Sequence, residues 1–114
     1  MKSMRILLIM IVAWASASLA EAHAFLDHAE PKVGSTVAAP TEVKLWMTMG
    51  LRKASTLQVL DASGKEVDGK DVRVNEETMA VSVPRLGAGT YTVEWKAVAS
   101  CGHKTSGTFV FVVK

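Results

Sequence analysis

The stretch Gly87-Ala88-Gly89-Thr90-Tyr91-Thr92-Val93-Glu94-Trp95-Lys96-Ala97 alternates between apolar and polar side chains. Tyr91, Val93, Trp95 and Ala97 point one way and Thr92, Glu94 and Lys96 the other, which describes a strand with one buried and one wet face. Just upstream, the spacing Leu86-x-x-Gly89-x-Tyr91 fits a strand entered through a corner, where a tyrosine hydroxyl bonds back to the chain. Working outward, residues 42–49 alternate in the same way, with Val43, Leu45, Met47 and Met49 on the core face and Lys44, Trp46 and Thr48 opposite. Residues 55–60 form a second β-rich run, closed by the turn composition of Asp61-Ala62-Ser63-Gly64. A short strand is expected over 72–74. Another covers 78–83, with Met79, Val81 and Val83 set against Ala80 and Ser82, and is stopped by Pro84. Residues 108–113 supply the last strand, and Gly102 and Gly107 are expected to bracket the loop before it.

Beyond the N-terminal region no stretch of ten residues carries a 3.6-residue period with caps, so no helix longer than a turn is expected. About seven short strands, without repeats or a linker, predict an all-β fold: an immunoglobulin-like Greek-key β-sandwich, with a small barrel as the alternative.

The chain opens differently. Lys2 and Arg5 precede an apolar run over 6–12, then small residues and Ala20-Glu21-Ala22, the pattern of a secretory signal peptide cleaved after Ala22. The expected organisation is thus a leader over 1–22 and one exported domain over 23–114. Loss of Lys2, Arg5 and Glu21 takes the formal net charge from +2 to +1. So small a surplus argues against nucleic acid or an anionic membrane as partner, because both demand a concentrated basic face. No later apolar run reaches the ~18 residues of a membrane span, and the domain is too short for a dinucleotide fold or an α/β barrel. The single cysteine, Cys101, rules out an intrachain disulfide, so its retention in an oxidising compartment needs another explanation.

Cleavage after Ala22 would make His23 N-terminal. Its α-amine, with an ordinary pKa near ~8, and its imidazole Nδ1 can then close one chelate ring on a metal. Nitrogen-rich tetragonal sites suit Cu(II), which also heads the divalent affinity series, so copper is the first expectation. The second candidate is Cys101-Gly102-His103: in extended backbone the residues flanking a glycine share a side, so both side chains can converge on one ion. His28 falls on the opposite strand face from His23 and is read as hydrogen-bonded or structural. Met47, Met49 and Met79 do not cluster, and core packing accounts for them. Trp46 and Trp95 are read as packing residues. Asp61, Glu66, Asp68 and Asp71 lack the order of a calcium loop and are read as solvated charge.

The start His23-Ala24-Phe25-Leu26-Asp27-His28-Ala29-Glu30-Pro31-x-x-Gly34, with Gly89-Thr90-Tyr91-x-Val93-x-Trp95 and the later Gly102-His103-x-x-x-Gly107, resembles the CopC-like periplasmic copper-binding family over essentially the whole of 23–114. The resemblance implies a Greek-key β-sandwich holding Cu(II) near one end. Its implied ligands are the N-terminal amine and histidine, an aspartate, and the histidine of an Asp-Gly-His motif. His23 matches the first and His103 the last, while Cys101 stands where the family has the aspartate. A carboxylate offers Cu(II) a hard oxygen; a thiolate is soft and favours Cu(I) or a strongly covalent Cu(II) bond. The metal-site residues are therefore His23, Cys101 and His103, with copper as the ion, Cu(II) by the family pattern and Cu(I) through Cys101.

The function implied is sequestration or delivery of copper in homeostasis or resistance, without catalysis and with a membrane copper transporter as a candidate partner. Two alternatives belong to other classes. An N-terminal histidine plus a second histidine is also the ligand set of copper mono-oxygenases, although so small a domain leaves little area for a substrate. A metal-free immunoglobulin-like interaction module is the other.

Overall fold

The computed structural model describes residues 23–114; the expected leader lies outside them. Eight strands form: β1 (Leu26–Glu30), β2 (Thr36–Val37), β3 (Glu42–Met47), β4 (Thr56–Leu60), β5 (Arg73–Asn75), β6 (Thr78–Ser82), β7 (Gly89–Val98) and β8 (Lys104–Val113). They make two four-stranded sheets, ordered β1-β3-β6-β5 and β2-β8-β7-β4. Pairing is antiparallel throughout except between β2 and β8, which run parallel over two residue pairs. No helix forms among the described residues. The all-β Greek-key sandwich is therefore what the alternating strands predict, with the two-residue β2 as the extra element.

The alternation decides which faces meet. Val43, Leu45 and Met47 of β3 and Met79 and Val81 of β6 turn inward from one sheet. Leu57 and Val59 of β4, Tyr91, Val93, Trp95 and Ala97 of β7, and Phe109, Phe111 and Val113 of β8 meet them from the other. Full burial of side chains such as Leu45 and Phe111 stabilises the fold by roughly 1.5–3 kcal/mol each. Met49 is half-buried against this core, so Met47, Met49 and Met79 are all packing residues. The corner read from Leu86 and Tyr91 also forms: the Tyr91 hydroxyl donates to the Gly87 carbonyl at 2.7 Å.

Three expectations need correction. Ala80, placed on the wet face of its strand, is buried, since its short side chain lies between its cross-strand partners Lys44 and Arg73. The last strand begins at Lys104, four positions before 108, because β7 and β8 stay in register all the way to Val98 and Lys104. Gly107 consequently lies inside β8, opposite Trp95, and does not bracket a loop. It is needed there for space: a Cβ on Gly107 would sit 2.6 Å from Trp95 Cζ2. Lengthening β8 shortens the connection to residues 99–103, immediately beside the end of the sandwich where β3 finishes.

The carboxylates are also more than solvated charge. Asp68 Oδ2 accepts the Val59 amide at 2.8 Å, tying the β4–β5 connection to β4. Asp71 accepts from the Ser82 amide and hydroxyl and pairs with Arg73. The Ser82 hydroxyl first, then its amide, hold the Asp71 carboxyl below the ordinary value.

Candidate metal centre

His23 precedes β1, and three hydrogen bonds hold the backbone beside it. The Phe25 amide donates to Thr48 Oγ1 at 2.9 Å, the Thr48 amide returns to the Phe25 carbonyl at 2.8 Å, and Thr105 Oγ1 donates to the Ala24 carbonyl at 2.6 Å. Ala24 itself is buried in the core. The segment is thus pinned between the end of β3 and the beginning of β8. Since β8 starts directly after His103, this brings the His23 ring to His103, with centroids 5.3 Å apart and planes at 67°.

His103 ends the turn over 99–103. The Ala99 amide donates to the His103 carbonyl at 2.9 Å and the Gly102 amide to the Ala99 carbonyl at 2.8 Å. Gly102 has φ +95°, a region a side chain rarely occupies. The backbone here is therefore a tight turn, not the extended chain from which the convergence of Cys101 and His103 was argued. The side chains converge all the same: Cys101 Sγ lies 3.3 Å from His103 Nδ1. The His103 backbone amide first, and its ring second, hold the Cys101 thiol below its ordinary value, favouring the thiolate that metals bind.

His103 is thus common to two contacts, one with His23 and one with Cys101. No three His, Cys, Asp or Glu side chains among the described residues are already gathered tightly enough to enclose an ion. One atom nevertheless points to a missing partner. His23 Nδ1 is buried without a hydrogen-bond partner among the described residues. Leaving such a nitrogen unsatisfied costs about 1–3 kcal/mol, a cost that coordination of this lone pair would remove. Two imidazoles and a thiol are a donor set suited to copper, so the residues present fit that ion.

His28 does not join them. It is exposed on β1, where its ring stacks on Trp46 at 4.4 Å and its Nδ1 pairs with Asp27 at 2.6 Å. The Lys44 ammonium also lies over the Trp46 ring, 5.0 Å from its centroid. This surface stack accounts for His28 as a structural residue.

The CopC domain model matches residues 26–114. The chain belongs to the CopC family. The matched region begins just after His23 and includes both Cys101 and His103. Copper resistance protein C of Escherichia coli is 33% identical over 112 residues, spanning 83% of this chain and 84% of that protein. CopC from Methylosinus trichosporium OB3b has a similar structure, with a TM-score of 0.76 at 32% identity over 81% of this chain and 94% of that one. PcoC, a methionine-rich copper resistance protein from Escherichia coli, gives 0.71 at 33% identity over 82% and 100%.

Reading the sequence toward a CopC-family site misses Thr48, Arg52 and Thr105. The two threonines hold the His23 segment, and Arg52 donates to the Ser100 carbonyl in the turn. Their partners lie 23, 81 and 48 positions away along the chain, so no local pattern marks them.

Proposed function

We propose that the chain is exported to the periplasm, loses residues 1–22, and as a domain starting at His23 binds one copper ion for sequestration or delivery in copper resistance. His23 contributes its new α-amine and Nδ1, His103 an imidazole nitrogen, and Cys101 a thiolate. The observation that carries this reading is the Nδ1 of His23, buried without a hydrogen-bond partner among the described residues and beside the His103 ring. Membership of a family with relatives named copper resistance proteins gives the same ion from a separate direction.

The three methionines after the leader are packed against the core, so this chain has no methionine cluster among the described residues to serve as a second, thioether site. The role is binding without catalysis, because holding and passing on an ion requires affinity and access alone. A membrane copper transporter is the proposed recipient.

Copper titration of protein beginning at His23, followed by paramagnetic resonance, tests the reading. One equivalent bound with nitrogen hyperfine structure is expected for Cu(II). Copper loading should also slow alkylation of Cys101 and produce either a thiolate charge-transfer band or prompt reduction to Cu(I). Absence of binding to either oxidation state would sink the proposal. Equal alkylation rates with and without copper would remove Cys101 from the ligand set.

A further inference from the structure

Arg52 lies on the β3–β4 connection, which packs directly against the turn over 99–103. The Arg52 amide donates to the Val98 carbonyl at 2.8 Å, the Ser100 amide donates to the Gly50 carbonyl at 2.9 Å, and Leu51 and Ala99 form a bridge between them. With its backbone fixed in this way, the side chain reaches over the turn. Nη2 and Nε both donate to the Ser100 carbonyl, at 3.0 and 3.3 Å. The guanidinium also lies 3.8–4.0 Å from the point where a Cβ on Gly102 would stand. It is therefore hydrogen-bonded to the residue before Cys101 and lies beside the residue after it. Arg52 forms no ion pair among the described residues. A guanidinium keeps its charge at every accessible pH, so this is a permanent cation set against the backbone that carries Cys101 and His103.

We propose that Arg52 is a positioning residue for the copper site, holding the turn in which Cys101 and His103 meet, and that its charge biases the bound ion toward Cu(I). The inference rests on the copper-binding reading above. Two neutral imidazoles, a neutral amine and one thiolate leave a site charge of +1 with Cu(II) and zero with Cu(I), by formal count. A neighbouring cation opposes only the first. Removing it should shift the ratio of Cu(I) to Cu(II) affinity by about fivefold, the scale of two unit charges a few ångström apart in water.

The test uses protein beginning at His23, with Arg52→Gln, which loses charge and fork, and Arg52→Lys, which keeps charge and loses the fork. Affinities for Cu(I), supplied with ascorbate as reductant, and for Cu(II) are measured by competition with chromophoric chelators. Amide exchange at Ser100 and Gly102 is followed in the metal-free protein. Both variants should exchange faster at these amides. Arg52→Gln should lower the Cu(I) to Cu(II) ratio about fivefold, with Arg52→Lys restoring most of it. An unchanged ratio in Arg52→Gln, or an equal drop in Arg52→Lys, overturns the electrostatic role. Unchanged exchange in both overturns the positioning role. Wild-type protein that binds neither ion would defeat the copper reading and the electrostatic role together, while the exchange measurement would still decide positioning.

Discussion

The turn after β4 and the turn between β7 and β8 have the same backbone and opposite chemistry. In the first, Asp61-Ala62-Ser63-Gly64-Lys65, the Asp61 amide donates to the Lys65 carbonyl and the Gly64 amide to the Asp61 carbonyl. In the second, Ala99-Ser100-Cys101-Gly102-His103, Ala99 bonds to His103 and Gly102 to Ala99 in the same two ways. Gly64 and Gly102 hold the same position, with φ +86° and +95°. Both have the form of a three-residue hairpin loop with glycine in the left-handed place. In the first turn Asp61 Oδ1 closes the structure, accepting the Ser63 amide, the Ser63 hydroxyl and the Lys65 amide. The Ser63 hydroxyl, then the Lys65 amide, hold its carboxyl below the ordinary value.

In the second turn the residue at that position is Ala99, which brings no acceptor. Cys101 and His103 stand where Ser63 and Lys65 stand, on positions that this backbone directs together. The first turn satisfies its donors through its own Asp61 side chain, whereas the second has no such acceptor at Ala99 and carries the exposed Cys101 and His103 side chains.

The largest effect that would sharpen this contrast comes from outside either turn. An extra methionine ahead of His23 blocks the amine chelate, and Cu(II) affinity should fall at least ~10-fold on losing one nitrogen of the ring. Equal affinity for the extended protein would remove the amine from the site. Next, His103→Ala should weaken copper binding by roughly tenfold while leaving the apo-protein's melting temperature unchanged, as expected of an exposed ligand. Loss of cooperative unfolding in that variant would make the open turn structural after all and break the contrast.

Gly64→Ala and Gly102→Ala should each cost about 1 kcal/mol of folding stability, because each forces a side chain into the left-handed region. Near-equal costs in denaturant unfolding would confirm the shared backbone; a tenfold disparity would deny it. Asp61→Ala should lower the melting temperature by roughly 3 °C and leave copper affinity untouched, since it opens the closed turn at the far end of β4.

The smallest effect is with pH. Asp61 and Asp71 are depressed in the folded state, so their contribution is complete above their unfolded value near 3.8 and is lost as pH falls through the lower folded values. Burial, and then Asp68, raise Glu66 above 4.5, so its contribution has the other sign and stability declines as pH rises through that window. Acid titration of unfolding should therefore lose its low-pH limb in Asp61→Ala and Asp71→Asn, while Glu66→Gln flattens the side above pH 4.5.

Much of the fold was legible because strand alternation is a local property. Tyr91, Val93, Trp95 and Ala97 are buried together as their spacing predicts, and so are Val43, Leu45 and Met47. The expectations that failed were set by pairing between strands: β8 extends back to Lys104 because β7 is there to pair with it, and Ala80 is buried because Lys44 and Arg73 flank it on the neighbouring strands. The candidate site divides in the same way. Cys101 and His103 could be matched as near neighbours in sequence, although through the wrong local geometry.

The sequence by itself determined an alternating all-β chain, its turns, and the residue types at positions 23, 101 and 103, since each of these depends on neighbours a few positions apart. Only the tertiary structure decided that His23 faces His103, that its Nδ1 is buried without a partner among the described residues, and that Arg52 bonds to the turn over 99–103. Those relations join residues 48 to 81 positions apart, and they exist only once two sheets have packed and brought the ends of β3, β7 and β8 to one edge.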